Sequence, residues 1–330
     1  MKTTDEGTKG YPLWVHKLVP PFRYGHFISG ILIFILIWMV LGLVGGDISI
    51  YLKLFFVSMC AYIVPVFANI IEKTAVAYDE IAPLLDDSDN DQAIKRHAFT
   101  HRSGRWYFFV SLLAISFWCV HLIALGWSYD RNVMAVFSIH NNASAIGALL
   151  VWVLMMTTNF ALVENAFLLG RLGRRIPVDL LRGSHQVAIA RVAIVSTLSI
   201  IGAQSLFVLL MIDTNANWVS FLPGFVITCG PMLVLFLVPV LPLHHRLRDT
   251  KRHELLAIDK QIARLRPDSG VDLSDLSDLN QLLIYRREIR QVSEWPFDVP
   301  ALTRLAFYLV LPPITWVAAA LIENVVDALL

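Results

Sequence analysis

Long apolar runs separated by polar segments dominate the chain. A membrane-spanning helix needs about 20 mostly apolar residues, and seven runs meet that length, at 27–46, 51–71, 107–128, 144–169, 188–211, 218–242 and 303–326. Only the sequence GGDIS separates the first two runs, so we expect them to form a tight helical hairpin. The pattern predicts an all-α, polytopic integral membrane protein with seven transmembrane helices.

Composition supports a membrane protein and removes other classes. Charged residues are 16% of the chain and hydrophobic residues 56%, whereas a soluble domain carries about 25% charged residues. The basic residues form short clusters matched by acids, so a nucleic-acid partner is not expected. Cys60, Cys119 and Cys229 all lie inside apolar runs, which gives no disulfide framework and no metal-binding spacing.

The distribution of Lys and Arg predicts how the chain is oriented. Cytoplasmic loops of membrane proteins carry an excess of these residues. With seven spans and the N-terminus inside, 25 of the 27 Lys and Arg residues fall on the cytoplasmic side, and only Lys53 and Arg131 fall outside. We therefore predict an N-in, C-out protein of a bacterial inner (plasma) membrane. This orientation, and the lack of a lysine in the last run, exclude a retinal protein or heptahelical receptor.

The chain divides into four predicted parts. A cytoplasmic N-terminal tail occupies 1–26 and a transmembrane bundle of six spans occupies 27–243. A cytoplasmic segment follows at 244–300, and the seventh transmembrane helix with an outer C-terminus occupies 301–330.

The cytoplasmic segment is predicted to be an antiparallel helical hairpin. Apolar residues recur at intervals of three and four in 245–266 and again in 274–293, and the sequence RPDSG between them favours a turn. Each arm would extend about 30 Å. Apolar faces left over would pack on other chains, so besides the lipid bilayer we expect a homo-oligomer or a partner protein, bound through 245–293.

Two other cytoplasmic segments have plain structural interpretations. The segment at 72–106 is predicted to begin as a continuation of the second helix. It then has grouped aspartates without the glycine and closing glutamate of a calcium loop, and is predicted to be a solvated loop with a basic end that faces the membrane. The segment after the fourth run contains four arginines that would contact anionic lipid headgroups. These arginines either anchor the protein or form a lipid or regulatory pocket. They are Arg171, Arg174, Arg175 and Arg182.

Polar residues inside the predicted spans are the candidate functional residues, because they are costly in lipid. Glu164 is the strongest, and we predict that it pairs with Arg191, with Asn159 or Asn165 as hydrogen-bond partner. Three roles stay open for Glu164, namely a clamp between helices, a proton or cation pathway, and a side chain that reaches the inner interface. His121 has no evident partner at its own depth, so neither haem nor any other cofactor or metal is predicted.

Prolines interrupt the last two runs. Pro231 and Pro239 lie in the sixth run, and Pro312 and Pro313 near the middle of the seventh. Proline removes a backbone donor and kinks a helix, and broken helices form binding sites in transporters. Ordinary kinks in a rigid bundle are the alternative. The EWPFD sequence at 294–298, just before the seventh run, has a structural interpretation, in which Trp295 is an aromatic anchor at the inner membrane interface.

The sequence contains no catalytic motif of the GxSxG, HExxH, Walker A or CxxC type. We therefore expect a non-enzymatic protein, an oligomeric ion channel or small-solute or ion transporter gated through its cytoplasmic hairpin. A membrane scaffold or signal-relay subunit, whose hairpin docks a partner protein, is the main alternative. An enzyme acting on lipid is a third.

Overall fold

The computed structural model of the chain describes residues 11–44, 48–84, 96–129, 142–177, 179–180, 184–211, 218–265 and 273–297, and six positions between 303 and 314. Within these residues the only strands are the two-residue β1 (Tyr11–Pro12) and β2 (His101–Arg102). All other elements are helical. The helices are α1 (Val15–Leu18), α2 (Gly25–Val44), α3 (Ile50–Ile81), α4 (His97–Thr100), α5 (Gly104–Tyr129), α6 (Asn142–Gly173), α7 (Ser184–Ser205), α8 (Val208–Met211), α9 (Trp218–Arg264) and α10 (Leu273–Gln291).

Six of these helices are long and apolar enough to cross a membrane, and they mark the chain as an integral membrane protein. They coincide with the first six predicted runs and cover Gly25–Val44, Ile50–Leu84, Gly104–Leu125, Ala143–Gly173, Val187–Leu210 and Leu222–Arg264. The seventh predicted span, with Pro312 and Pro313, lies almost entirely outside the described residues. The six described positions from Thr303 to Ile314 are helical and exposed.

Burial identifies α3 and α6 as the centre of the bundle. In the most apolar part of each span, 67% of the residues are buried in α3 and 56% in α6, against 11% in α2 and 17% in α5. Lipid is as apolar as leucine, so hydropathy alone does not distinguish a central helix from a peripheral one. Both α3 and α6 contribute to each of the two largest buried cores. One core also includes buried residues of α2 and α5, and the other includes residues of α7 and α9. The remaining faces of α2 and α5 expose large apolar side chains.

Helix α9 is a single helix of 47 residues, about 70 Å long at 1.5 Å per residue. It joins the sixth predicted span to the first predicted cytoplasmic arm without a break in helical structure, and the helix continues through Pro231 and Pro239. Helix α10 runs antiparallel to its C-terminal half. Arg286 Nε donates to Asp259 Oδ1 at 2.7 Å, and Ile258 and Ile289 are both buried.

The start of the EWPFD sequence packs back on α9. The Trp295 ring stacks on His244 with centroids 4.0 Å apart, and the His244 Nδ1 atom is 2.9 Å from the carbonyl oxygen of Glu294. Lys251 Nζ donates to the carbonyl oxygen of Val292 at 2.8 Å. The segment after α10 is therefore held against α9 by Trp295. The last residue of the EWPFD sequence, Asp298, lies outside the described residues.

One end of the bundle is covered by two segments that pack on each other, and we call it the Arg102 end. Strand β1 pairs antiparallel with β2, and Leu13 N donates to the carbonyl oxygen of Thr100 at 2.9 Å. Leu13, Val15 and Phe99 are buried. The prediction of a solvated loop is thus wrong for Phe99 and Arg102, which insert between the helices, whereas Arg96, His97 and Ser103 beside them are exposed.

Candidate functional site

Arg102 is a buried cation at this end of the bundle. Its side chain is 6% exposed. Nη1 donates to the carbonyl oxygen of Ala98 at 2.7 Å and to that of His101 at 2.8 Å. Helix α4 has only one turn, so carbonyls at its end have no helical partner, and a basic side chain there satisfies them. One side of the guanidinium is therefore bound to backbone carbonyls of its own segment.

The other side of the guanidinium contacts α6. Nη2 donates to Asn165 Oδ1 at 2.8 Å and to the carbonyl oxygen of Ala161 at 3.2 Å. Nε lies 2.7 Å from Glu164 Oε2, but its N–H does not point at that oxygen, so we regard the contact as an ion pair rather than a hydrogen bond. Arg102 thereby ties the 96–103 segment to α6.

Helix α5 supplies the last member of the group. Trp106 Nε1 donates to Glu164 Oε1 at 2.5 Å, and the Trp106 ring centroid is 5.7 Å from Arg102 Cζ. Asn165 Nδ2 donates to the carbonyl oxygen of Phe99 at 3.3 Å. We call Arg102, Trp106, Glu164 and Asn165 the Arg102 cluster. It joins α5, α6 and the 96–103 segment through charged and neutral hydrogen bonds.

Burial and charge act in opposite directions on Arg102. Burial lowers the pKa of the guanidinium below its ordinary value, and the neighbouring Glu164 carboxylate acts in the opposite direction. An arginine starts so far above neutrality that it stays protonated in proteins. The Arg102 cluster therefore contains a permanent cation and one carboxylate, and the guanidinium is almost completely buried.

The predicted pairing of Glu164 with Arg191 is wrong. Glu164 pairs with Arg102, and Arg191 Nη1 lies 3.7 Å from Glu80 Oε1 of α3, where both side chains are about half exposed. Depth along a span can be read from sequence, whereas the direction of a side chain around the helix axis depends on the neighbouring helices. Asn165 does belong to the site, as a partner of Arg102 rather than of Glu164.

Two cavities lie in line behind the Arg102 cluster, between α3, α6, α7 and α9. The central cavity has a volume of about 40 Å³, and its polar lining residues are Tyr62, Thr158, Asn159, Ser199 and Thr228. The inner cavity has about 10 Å³ and includes Asn165 in its lining. Ile70 and Leu162 line both cavities and therefore lie between them.

One face of α6 lines this whole path. Asn159, Leu162, Asn165 and Leu169 follow each other at intervals of three and four residues, which places them on one side of a helix. Asn159 borders the central cavity, Leu162 the junction, and Asn165 the inner cavity and Arg102. Polar and apolar positions thus alternate from the middle of the bundle to the buried cation.

The remaining predicted residues lie elsewhere. His121 Nδ1 accepts from Trp152 Nε1 at 3.0 Å, so α6 supplies the partner that sequence did not reveal. Pro239 lines the inner cavity, and Pro231 lies in α9.

The basic segment after α6 is only partly described. Arg171, Arg174 and Arg175 are exposed, and Arg182 lies outside the described residues. Arg246 Nη1 donates to the carbonyl oxygens of Arg174 and Ile176, at 2.6 and 2.7 Å, which holds this segment against α9. No cluster of potential metal ligands occurs among the residues that were placed.

Sequence reasoning missed Arg102 and Trp106. Arg102 is one of several basic residues in a polar loop, and nothing in its spacing marks it as buried. Trp106 lies at the start of a span, where tryptophan is ordinary. The one available signal is the unpaired charge of Glu164, which requires a cation but does not identify it.

Comparison with protein-family models, curated proteins and solved structures gives no match. Function therefore has to be inferred from the geometry of the described residues.

Proposed function

We propose that the protein forms a transmembrane pathway for ions or small solutes, closed at its cytoplasmic end by the Arg102 cluster. The pathway runs between α3, α6, α7 and α9 through the central and inner cavities. The observation that carries the proposal is the buried Arg102 guanidinium, bound to Asn165, which is one of the residues that line the inner cavity.

A purely structural role would not need this cation. Apolar residues of similar volume often stabilise a protein as well as a buried ion pair does. Ionisable groups at membrane depth face cavities or pathways and mark functional sites. Arg102 comes from a short covering segment rather than from a span, so withdrawing it requires movement of 96–103 and of no whole transmembrane helix.

Helix α9 supports gating through the cytoplasmic hairpin. Leu235 and Pro239 of α9 line the inner cavity, and the same helix continues to Arg264. A displacement of the arm therefore reaches the cavity wall through one continuous helix.

The proposal includes seven spans, an N-in and C-out topology, and an inner (plasma) membrane location. It also includes oligomer formation through 245–293. The location of 25 of the 27 basic residues on one side supports the topology.

The pathway is tested by flux through proteoliposomes. Wild type and Arg102→Gln are compared for the movement of monovalent ions, protons and water. If the closed state loses contacts worth about 1.4 kcal/mol, the ratio of open to closed protein rises roughly tenfold. Arg102→Gln is therefore expected to raise flux by about that factor. Glu164→Gln is expected to raise it less, because Asn165 and Ala161 still hold Arg102.

Arg191→Gln is the matched control. It removes an arginine from a half-exposed ion pair at a similar depth and is expected to leave flux at the wild-type level. Equal flux for Arg102→Gln and Arg191→Gln would rule out closure by Arg102, and no flux of any species under any gradient would rule out the pathway.

A scaffold or signal-relay subunit is the second candidate, favoured by apolar residues on the α9–α10 pair. Leu256, Leu283 and Ile284 are about half exposed there. A scaffold would use this surface to dock a partner or a second copy. Cross-linking through Ile284→Cys in membranes, combined with absent flux, is the result expected of a scaffold.

A further inference from the structure

We propose that the central cavity is a binding site for water or for a neutral polar solute of similar size. It lies at the middle of α6, one helical turn beyond the Leu162 junction. Two buried polar atoms at this place, Thr158 Oγ1 and Asn159 Nδ2, have no hydrogen-bond partner in the described part of the chain.

Unpartnered donors are costly at this depth. Asn159 is 6% exposed, and moving an amide from water into an apolar environment without a hydrogen-bond partner is strongly unfavourable. A bilayer offers no water from outside to satisfy it. A small ligand in the cavity removes this cost, because Asn159 and Thr158 are both among the residues that line it.

The other polar residues of the lining define the hydrogen bonds that the ligand makes. Tyr62 Oη donates to the carbonyl oxygen of Ser199 at 3.0 Å, and Ser199 Oγ donates to that of Val195 at 2.7 Å. Both hydroxyl protons already donate to backbone carbonyls. Each hydroxyl oxygen also has two lone pairs that can accept hydrogen bonds. A fitting ligand therefore accepts from Asn159 and donates to hydroxyl oxygens, as water does.

Size and charge exclude larger or charged ligands. The cavity of about 40 Å³ compares with the roughly 10–15 Å³ that a cavity needs to hold one water. None of the described residues that line it is Asp, Glu, Lys, Arg or His. A bare ion would meet no opposite charge among these residues, and an unpaired ion is very costly to move from water into such a medium. A neutral molecule of one to three heavy atoms remains.

The site is tested by water-edited solid-state NMR of protein labelled at asparagine and glutamine, in liposomes. Magnetisation transferred from water is expected to reach the Asn159 side-chain amide several-fold faster than that of Gln204. Gln204 is the matched control, since it is as deeply buried, is not among the lining residues of either cavity, and its amide nitrogen donates to Thr228 Oγ1. The Asn159 signal is assigned by its loss in Asn159→Leu. Equally slow transfer to both amides would overturn the proposal.

A second measurement separates a neutral ligand from an ion. The Asn159 amide shifts are recorded with sodium chloride, potassium chloride and an impermeant organic salt. Unchanged shifts are expected, and a shift that follows one ion would overturn the neutral assignment.

The transport consequence rests on the pathway proposed above and is measured independently. Osmotic shrinkage of proteoliposomes is expected to be several-fold slower for Asn159→Leu than for wild type. A hydrated Asn159 in vesicles without any flux would support the site and rule out the pathway.

Discussion

Arg102 spreads its hydrogen bonds over four acceptors. The two Nη nitrogens donate to three backbone carbonyls and to Asn165 Oδ1, and Nε faces the Glu164 carboxylate. A guanidinium has its donors in a rigid planar fork, whereas a lysine ammonium is a point charge with three donors. The geometry at this site therefore requires arginine.

Replacing Glu164 by Gln is expected to destabilise the protein by about 1–3 kcal/mol, as for a lost hydrogen bond or ion pair with a charged group. The Gln side chain keeps an oxygen that can accept from Trp106 Nε1. The loss of stability therefore comes mainly from removing the negative charge next to Arg102. Thermal unfolding in detergent measures it, as a fall of the midpoint by several degrees.

Glu80→Gln is the control for this prediction. The Glu80 carboxylate is 3.7 Å from Arg191 and both side chains are substantially exposed. An exposed pair contributes about 0–1 kcal/mol. Equal destabilisation by Glu80→Gln and Glu164→Gln would contradict the assignment of Arg102 as a buried partner.

At this scale the sequence identified half of the site. Glu164 and Asn165 stand out because they interrupt an apolar run, and a polar residue in lipid is conspicuous. Arg102 and Trp106 lie in positions where charge or aromaticity is normal. Their roles depend on how a covering segment folds onto the helix ends, and no local pattern reports that.

At the scale of elements, α6 and α9 approach closely at Gly170. A Cβ added at Gly170 would lie 2.7 Å from the carbonyl oxygen of Val238, which is backbone and cannot rotate away. Small residues allow helices to pack this closely in membranes. The contact lies beside Pro239, which lines the inner cavity.

Gly170→Ala is therefore expected to force α6 and α9 apart and to cost about 1–3 kcal/mol, the usual effect of overpacking. The midpoint of thermal unfolding measures this loss. Gly230→Ala is the matched control on α9, since an added Cβ there meets no atom within 4 Å. A Gly170→Ala protein as stable as Gly230→Ala would contradict the close α6–α9 contact.

Helix positions were predictable, but the ends of the apolar runs do not mark the ends of the helices. The first run, 27–46, matches α2 within two residues. The second run ends at 71, and its predicted continuation as a helix is confirmed, since α3 extends to Ile81. Hydropathy reports how far a helix is immersed in lipid, and a helix that leaves the lipid keeps its backbone hydrogen bonds. The same reason explains why α9 extends from the sixth span into the first arm.

At the scale of the whole molecule, the topology is open to a direct measurement. Alkaline phosphatase fused after residue 330 is expected to be active, since it folds only outside the cytoplasm. The same reporter fused after Arg264, in the predicted cytoplasmic hairpin, is expected to be inactive. An inactive fusion after residue 330, with the protein present at normal amounts, would exclude seven spans with the N-terminus inside.

The separation of the Arg102 contacts along the chain has a consequence for biogenesis. Asn165 follows Arg102 by 63 residues, so a ribosome adding 5–20 residues per second makes it roughly 3–13 seconds later. Until then the newly made arginine has neither its carboxylate nor its α6 acceptors. The 11–19 segment, which pairs with the Arg102 segment, is therefore complete long before the contacts that fix that segment on α6 can form.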